Sequence, residues 1–206
     1  MSGPSHAEEV SRVMPTTIVA GATEKETALY IQDVFMNTKF RVYTSPDVVG
    51  IELGGSLKNV IALAAGIIDG LGYGDNTKAA LITRGIVEIG RLGEAMGAHY
   101  ETFAGLSGIG DLIVTCTSTH SRNHNAGYLL GQGVSLEETK KRVGQVIEGV
   151  NSAHAALMLS RKYGIEMPIV EQVNEVLFGG KTAQEALFEL LQREKADEYN
   201  TLDWNA

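Results

Sequence analysis

The feature that most constrains the fold is residues 51–68, a run from Ile51 through Gly54, Gly55, Lys58 and Gly66 to Ile68. It reads as one long helix that is apolar on most sides, and such a helix must be buried, with other elements built around it. A lone lysine sits near its middle. At about 100° per residue, the neighbours of Lys58 on its own face are Gly54, Gly55, Ala62 and Ala65. All four are small, so another helix or a ligand can approach closely. Lys58 is then either a snorkelling side chain that carries its charge to water, or a desolvated and reactive ammonium.

The chain of 206 residues can bury one large core or two small ones, and its 44% hydrophobic and 20% charged content is ordinary for a globular protein. A net charge of −8 argues against a nucleic-acid partner or an anionic membrane surface, while leaving room for a local basic pocket. Cys116 is the only cysteine, so no intrachain disulfide forms and a reducing compartment is indicated. The most apolar run, residues 60–68, is interrupted by Gly66 and is too short to span a bilayer. The polar start, followed by Glu8 and Glu9, does not resemble a signal peptide. The expectation is a cytoplasmic protein without membrane insertion.

Two regions differ in character. Ser5 is placed to cap a short helix over 6–13, ended by Met14-Pro15. Residues 16–21 and 40–44 are rich in β-branched and aromatic residues and read as strands. Between them Thr23 opens a helix over 25–36, with Ala28, Ile31 and Phe35 at helical spacing. This order predicts a parallel pair, but two strands do not make a stable sheet alone. Residues 1–45 are therefore expected to be the end of a larger α/β domain. After Ser45-Pro46-Asp47 the pattern is helical throughout 46–206. The Lys58 helix stops at the glycine cluster 70–74. Asp75 or Asn76 caps a helix over 77–96 with Leu81, Ile82, Ile86, Ile89 and Leu92 as its apolar stripe, and Gly97 stops it. Residues 107–110 form a tight loop opening a short helical run over 111–116, and Ser121 begins a helix ending near residues 131–133. Ser135 with Glu138, and Thr182 with Glu185, have capping-box spacing. Helices over 152–163, closed by Gly164, and over 169–178 lie between them. The polar tail after Lys195 is expected to be loose.

The glycines do not form a dinucleotide fingerprint, which needs G-x-G-x-x-G between a strand and a helix. Gly70, Gly72 and Gly74 follow a helix, and Gly105, Gly108 and Gly110 have the wrong order. Any dinucleotide site lies mostly outside this chain. His120 and His124 are four apart, as metal ligands can be, but Ser121 caps the helix between them and no third ligand is placed. No metal site is expected. Cys116 reads as a small core residue. Ser121-Arg122-Asn123 combines a fork of donors with the unpaired N–H groups of a helix start, which suits a phosphate, although taken alone it reads first as an N-capped surface helix with a solvated arginine. Asp111 either caps its own helix or points a carboxylate at a substrate hydroxyl.

Five segments together carry a family resemblance. They are Ser2-Gly3-Pro4-Ser5-His6-Ala7-Glu8-Glu9, Glu52-Leu53-Gly54-Gly55-Ser56-Leu57-Lys58-Asn59-Val60, Gly105-Leu106-Ser107-Gly108-Ile109-Gly110-Asp111-Leu112, Ser121-Arg122-Asn123 and Val146-Ile147-Glu148-Gly149. In this order the chain resembles the bacterial NAD(P)-dependent sn-glycerol-3-phosphate dehydrogenases over nearly its whole length. The resemblance implies a mainly α fold: a multi-helix substrate domain of the 6-phosphogluconate dehydrogenase C-terminal-like type over 46–206, after a short β-α-β remnant of a Rossmann-like nucleotide domain over 1–45. It implies Lys58 as the acid/base residue. Gly3, Ser5, Lys58, Asp111, Ser121, Arg122 and Asn123 match substrate-binding positions, with Thr115 as a supporting hydrogen-bonding group one turn after Asp111. Ala7, Arg122, Val146 and Glu148 match contacts to NAD or NADP. The implied ligands are dihydroxyacetone phosphate and sn-glycerol 3-phosphate, the product feeding phospholipid synthesis, with a homodimer as the assembly state to test. One departure is large: the family's glycine-rich nucleotide domain, with its second active-site lysine, is absent from this chain. The alternatives are a non-catalytic helical binding or dimerisation module, and a related lysine-dependent NAD(P) dehydrogenase with another substrate.

Overall fold

The computed structural model describes residues 1–198. Its elements are α1 (Ala7–Val10), β1 (Thr16–Gly21), α2 (Lys25–Phe35), β2 (Phe40–Ser45), α3 (Val48–Gly70), α4 (Asp75–Ala95), α5 (Tyr100–Phe103), α6 (Asp111–Thr117), α7 (Arg122–Gly131), α8 (Leu136–Val143), α9 (Glu148–Tyr163), α10 (Pro168–Asn174) and α11 (Ala183–Leu191). π-Helical turns at Leu106–Gly110 and Glu175–Gly179 lead into α6 and out of α10. The fold is mostly helical, with a small two-stranded parallel sheet.

α3 is the central element, as its all-round apolarity demands. Val60, Ile61, Ala62, Leu63 and Ala65 are fully buried, and α4, α6, α7 and α9 pack around them. Residues 60–68 alone are too short for a membrane span, but the whole helix of 23 residues is long and apolar enough by length and composition; 72% of an 18-residue apolar stretch of it is buried inside the protein. Asp47 starts it. One carboxylate oxygen accepts from Gly50 N (2.9 Å), and the other accepts from His99 N (2.9 Å) and Thr102 Oγ1 (2.6 Å), so a single side chain caps α3 and ties it to α5. Burial alone would raise its pKa, but the Thr102 hydroxyl and the two backbone N–H groups hold it below the ordinary carboxylate range.

The closest crossing is α3 with α7. Gly66 and Gly70 on one helix face Gly127 and Gly131 on the other, each pair one turn apart. A Cβ on Gly127 would collide with the Leu63 carbonyl and sit 3.0 Å from Gly66 Cα; one on Gly131 would sit 3.0 Å from Gly70 Cα. Backbone meets backbone here, and this brings the start of α7 against α3. Gly66, which reads in the sequence as an interruption, is part of the contact.

β1 and β2 pair in parallel from Thr16↔Phe40 to Gly21↔Ser45. They share a small core of Ile18, Ala20 and Val42, with Ile31 and Phe40 against it, separate from the main cluster around α3. On α2 only Ala28 is buried, and Phe35 is exposed, contrary to its helical spacing, because the two-stranded sheet covers just one stripe of the helix. Ser2 bridges Val19 in the antiparallel sense, which lays Ser2 and Gly3 beside β1.

Several helix starts differ from expectation. Ser5 donates its hydroxyl to Gly3 O (3.0 Å) instead of capping, and α1 is a single turn. α2 has no side-chain cap from Thr23, and α4 begins at Asp75 with Gly74 at its N-cap. α9 starts a turn earlier than expected, at Glu148, and α10 ends at Asn174, where the π-helical turn takes over. Ile86 is half-buried, unlike the rest of its stripe. Ser135 accepts from Glu138 N (3.3 Å), but the Glu138 carboxylate turns to Arg142 (2.9 Å), so that box is half formed. The Thr182–Glu185 box is reciprocal. Gly97 (φ 90°) and Gly164 (φ 67°) occupy left-handed stops, as expected. Residues 199–206 of the polar tail lie outside the described residues.

Candidate active site

Lys58 lies midway along α3, where burial on most sides leaves its ammonium one polar direction. Its Nζ donates to Asp111 Oδ2 at 2.5 Å; the two side chains are 19% and 8% exposed. Asp111 is the first residue of α6 and does not cap it, the N-cap position being Gly110. The preceding π-helical turn sets its direction. Gly108 within that turn has φ −99° and ψ −106°, and a Cβ there would collide with the Phe103 carbonyl. Thr115, one turn on, donates its hydroxyl to Asp111 O (2.6 Å) with Asp111 Oδ1 at 3.3 Å, so it braces the carboxylate from behind. Removing either member of so buried a pair leaves the other charge uncompensated.

The small face of Lys58 is mostly spent on packing. Ala62 and Ala65 are fully buried, and a Cβ on Gly54 would collide with the Ser107 carbonyl. Gly55 is the exception: a Cβ there would meet only Ser2 Oγ, at 3.6 Å. The open side of the lysine therefore lies over Gly55.

A second group of polar side chains joins Lys58's helix to α7 and α9. Asn59 Oδ1 accepts from Asn123 Nδ2 (3.0 Å), and Asn59 Nδ2 donates to Glu148 Oε2 (3.1 Å). Asn123 Oδ1 accepts from Gly149 N (2.8 Å). Ser121 is buried and caps α7 by accepting from His124 N (3.2 Å). Arg122, the first residue of α7, is held loosely, with Nη1 3.4 Å from Gln145 Oε1 and Nη2 4.0 Å from Glu148 Oε1. Val146, between Gln145 and Ile147 in the chain, is 66% exposed.

The N-terminal segment borders the same region. Gly3 is buried with φ 132°, Pro4 lies near Gly110, and the His6 ring meets His120 edge-on with centroids 6.1 Å apart. Ser5 and Ala7 are exposed. His124 is engaged elsewhere: its Nε2 is 2.8 Å from Asp69 Oδ2, which also accepts from Lys78 Nζ (2.9 Å). Burial pushes the Asp69 pKa up, but Lys78 and His124 outweigh it and hold it below the ordinary range. Among the described residues no three histidine, cysteine, aspartate or glutamate side chains are grouped to hold a metal. Cys116 is fully buried, and desolvation pushes its thiol up to about 12 despite the opposing charge of Lys58, so it is no nucleophile at neutral pH.

The structure thus brings Lys58, Asp111 and Thr115 into one group, and sets Ser121, Arg122, Asn123 and Glu148 into a second that reaches Lys58's helix through Asn59. It does not join Ser5 or Ala7 to either by a hydrogen bond. Sequence reasoning passed over Asn59 and Gln145. A buried asparagine on an apolar helix was the available signal, because such an amide demands partners.

A family model described as the NAD-dependent glycerol-3-phosphate dehydrogenase C-terminus matches residues 47–188. The chain belongs to this family. Its relatives include the glycerol-3-phosphate dehydrogenase (NAD(P)+) of Agathobacter rectalis, 64% identical over 204 residues, covering 99% of this chain and 61% of that protein. The protein of the same name from Fusobacterium nucleatum is 64% identical over 195 residues, covering 95% and 58%. Among solved structures, glycerol-3-phosphate dehydrogenase from Coxiella burnetii superposes with a TM-score of 0.91 at 43% identity, over 93% of this chain and 59% of that one. The chain spans about three fifths of the length of these relatives.

Proposed function

We propose that this chain is the helical part of an NAD(P)-dependent glycerol-3-phosphate dehydrogenase, which interconverts dihydroxyacetone phosphate and sn-glycerol 3-phosphate. In this reading residues 1–45 end a dinucleotide-binding domain and residues 46–206 are the substrate-binding and catalytic domain. The supporting observation is the buried Lys58–Asp111 pair on the same helix that Asn59 links to the start of α7.

Bound NAD(P)H supplies the hydride for reduction. Lys58 Nζ supplies the proton: the carbonyl oxygen becomes an alkoxide as hydride reaches its carbon, and the ammonium protonates it. The neutral amine then regains a proton from solvent. In the oxidative direction the amine takes the hydroxyl proton. An ammonium has three N–H donors, and one goes to Asp111. The others remain for the substrate oxygen over Gly55. Asp111 therefore orients the lysine and keeps acceptor sites free for the substrate hydroxyl, with Thr115 fixing Asp111 in turn.

Ser121, Arg122 and Asn123 are the phosphate-binding set. The Ser121 hydroxyl accepts from the backbone and keeps its own hydrogen to donate; Asn123 has one N–H left after Asn59. Arg122, with only long contacts, is free to turn its fork to an anion. Gly3 and Ser5, which follow the Ser2 side chain that faces Gly55, are the substrate contacts assigned to the N-terminal segment. The residues for NAD or NADP are Ala7, Arg122, Val146 and Glu148. They fit the role because Arg122 is loosely held between Gln145 and Glu148, Val146 on the same segment is an uncovered apolar side chain, and Asn59 fixes the Glu148 carboxylate.

The test compares dihydroxyacetone phosphate with unphosphorylated dihydroxyacetone as substrates of the complete enzyme. A site that pairs buried donors with a phosphate is expected to discriminate by about 10⁴ in kcat/KM. Equal use of the two would contradict the proposal and favour a related dehydrogenase with another substrate.

A further inference from the structure

We infer that His124 is a positioning residue for the reaction. Its ring, held by Asp69, fixes the register of α7 on α3 and with it the place of Ser121, Arg122 and Asn123 relative to Lys58. The inference rests on the assignment of those three residues to the substrate phosphate, and His124 itself touches no ligand.

α7 runs in the same direction as α3 at a constant register. Asn123 pairs with Asn59, a Cβ on Gly127 would collide with the Leu63 carbonyl, and one on Gly131 would collide with the Ile67 carbonyl, each match 64 positions apart. The glycines that permit this approach are four residues apart on both helices, Gly66 and Gly70 on one, Gly127 and Gly131 on the other. A track of this kind looks alike from one turn to the next. The backbone contact therefore does little by itself to choose between this register and one slid by a turn of about 5.4 Å. Polar side chains have to choose.

Two pairs do so. Asn59 holds Asn123 (3.0 Å), and Asp69 holds His124, whose Nε2 is 2.8 Å from Asp69 Oδ2. Asp69 is ionised at neutral pH and can only accept, so Nε2 carries the hydrogen. The other ring nitrogen, Nδ1, is buried with no partner among the described residues, which leaves Asp69 as the ring's one polar hold. The two side chains are 13% and 21% exposed, so water competes little for the bond. Lys78 on α4 donates to the same oxygen (2.9 Å) and supplies the charge that a half-buried carboxylate needs.

His124 passes this hold to the phosphate set through its own backbone. Its N–H is the donor that the Ser121 hydroxyl accepts (3.2 Å), and its carbonyl lies where a Cβ on Gly66 would strike it. The ring, the N–H and the carbonyl together pin the first turn of α7, which Ser121 caps and Arg122 begins.

The experiment measures kcat/KM of the complete enzyme for dihydroxyacetone phosphate and for unphosphorylated dihydroxyacetone, with melting temperatures of the same samples. The variants are His124→Leu, His124→Asn, His124→Gln and Lys78→Met. His124→Leu is expected to lower kcat/KM for the phosphorylated substrate at least about tenfold, chiefly through KM, and to leave that for dihydroxyacetone within about twofold. His124→Asn, too short to reach Asp69, carries the same expectation without burying a new apolar side chain. His124→Gln places an amide N–H where Nε2 was and is expected to recover most of the loss. Lys78→Met removes the other partner of the same oxygen without touching α7. It is expected to lower the melting temperature while the ratio of the two kcat/KM values stays within about twofold of the parent. The inference is overturned if His124→Leu and His124→Asn lower both substrates alike or neither, if Lys78→Met changes the ratio as much as they do, or if His124→Gln restores nothing. A parent enzyme that uses both substrates equally overturns the phosphate assignment itself, so the two failures are told apart.

Discussion

Gly54 and Gly55 are adjacent on α3, and alanine at each should act in opposite directions. In a helix interior, replacing glycine by alanine stabilises by about 0.5–1 kcal/mol, because the unfolded chain has less freedom to lose. Gly55 should show this gain, since its new Cβ meets only Ser2 Oγ at 3.6 Å, an ordinary contact. At Gly54 the same gain is opposed by a collision with the Ser107 carbonyl, a backbone atom held by the π-helical turn, with the Ser107 carbonyl carbon 3.3 Å away. Overpacking of this kind costs about 1–3 kcal/mol, so the net loss is about 1–2 kcal/mol. For a chain of this size the melting temperature should rise by about 1–4 °C in Gly55→Ala and fall by about 2–8 °C in Gly54→Ala. Far-UV circular dichroism against temperature and urea reads both, with an unchanged urea slope. The functional arm runs the other way. In the complete enzyme Gly55→Ala should lower kcat/KM by about tenfold despite its stability, because the methyl fills the open side of Lys58. Equal destabilisation by the two variants would refute the packing account, and a stable Gly55→Ala with full activity would refute the open face.

Two further predictions concern buried carboxylates. Glu88 accepts from Ile169 N (2.9 Å) and Val170 N, and burial pushes its pKa up to about 7 in spite of these donors. The unfolded chain releases this proton near 4.5 while the folded one keeps it, so stability should fall as pH rises from about 4.5 to 7, by about 3 kcal/mol in total. Glu88→Gln should flatten that part of a urea-derived stability profile, and an unchanged slope would contradict it. Asp47 has the opposite sign: its folded pKa is lowered, so its contribution is present above about 3.8 and lost as pH falls below that value. Asp47→Ala removes an N-cap and strands the donors of His99 and Thr102, and should cost about 2–4 kcal/mol in urea unfolding at neutral pH.

The legible parts of the fold were those set by neighbours in sequence. β1, the extent of α3, the Ser121 cap, the Thr182–Glu185 box and the left-handed Gly97 and Gly164 all follow from local rules, and the structure has them. The start at Ser5 was misread because its hydroxyl turned to Gly3, while Thr23 and Asp75 are suitable cap residues that make no cap hydrogen bond. The glycines of the α3–α7 crossing were read as an interruption and stops, because nothing local says that residues 66 and 127 will touch. The site shows the same division. Residue types at helix starts pointed to Arg122 and Asp111, but the pairing of Asp111 with Lys58 spans 53 positions. That pairing adds to the ligand-binding reading of Asp111 a part in aiming the lysine. The Asn59–Asn123–Glu148 chain likewise joins three helices and has no sequence-local trace.

The central claim is that Lys58 moves the substrate proton while the start of α7 holds the phosphate. It is tested most directly by Lys58→Ala in the complete enzyme, with turnover of dihydroxyacetone phosphate and the dissociation constant of sn-glycerol 3-phosphate measured on the same preparation. The expected result is a fall in kcat of about 10²–10⁴, the usual contribution of a general acid, with the dissociation constant changed by less than about tenfold. Near-normal kcat in that variant would contradict the assignment of Lys58.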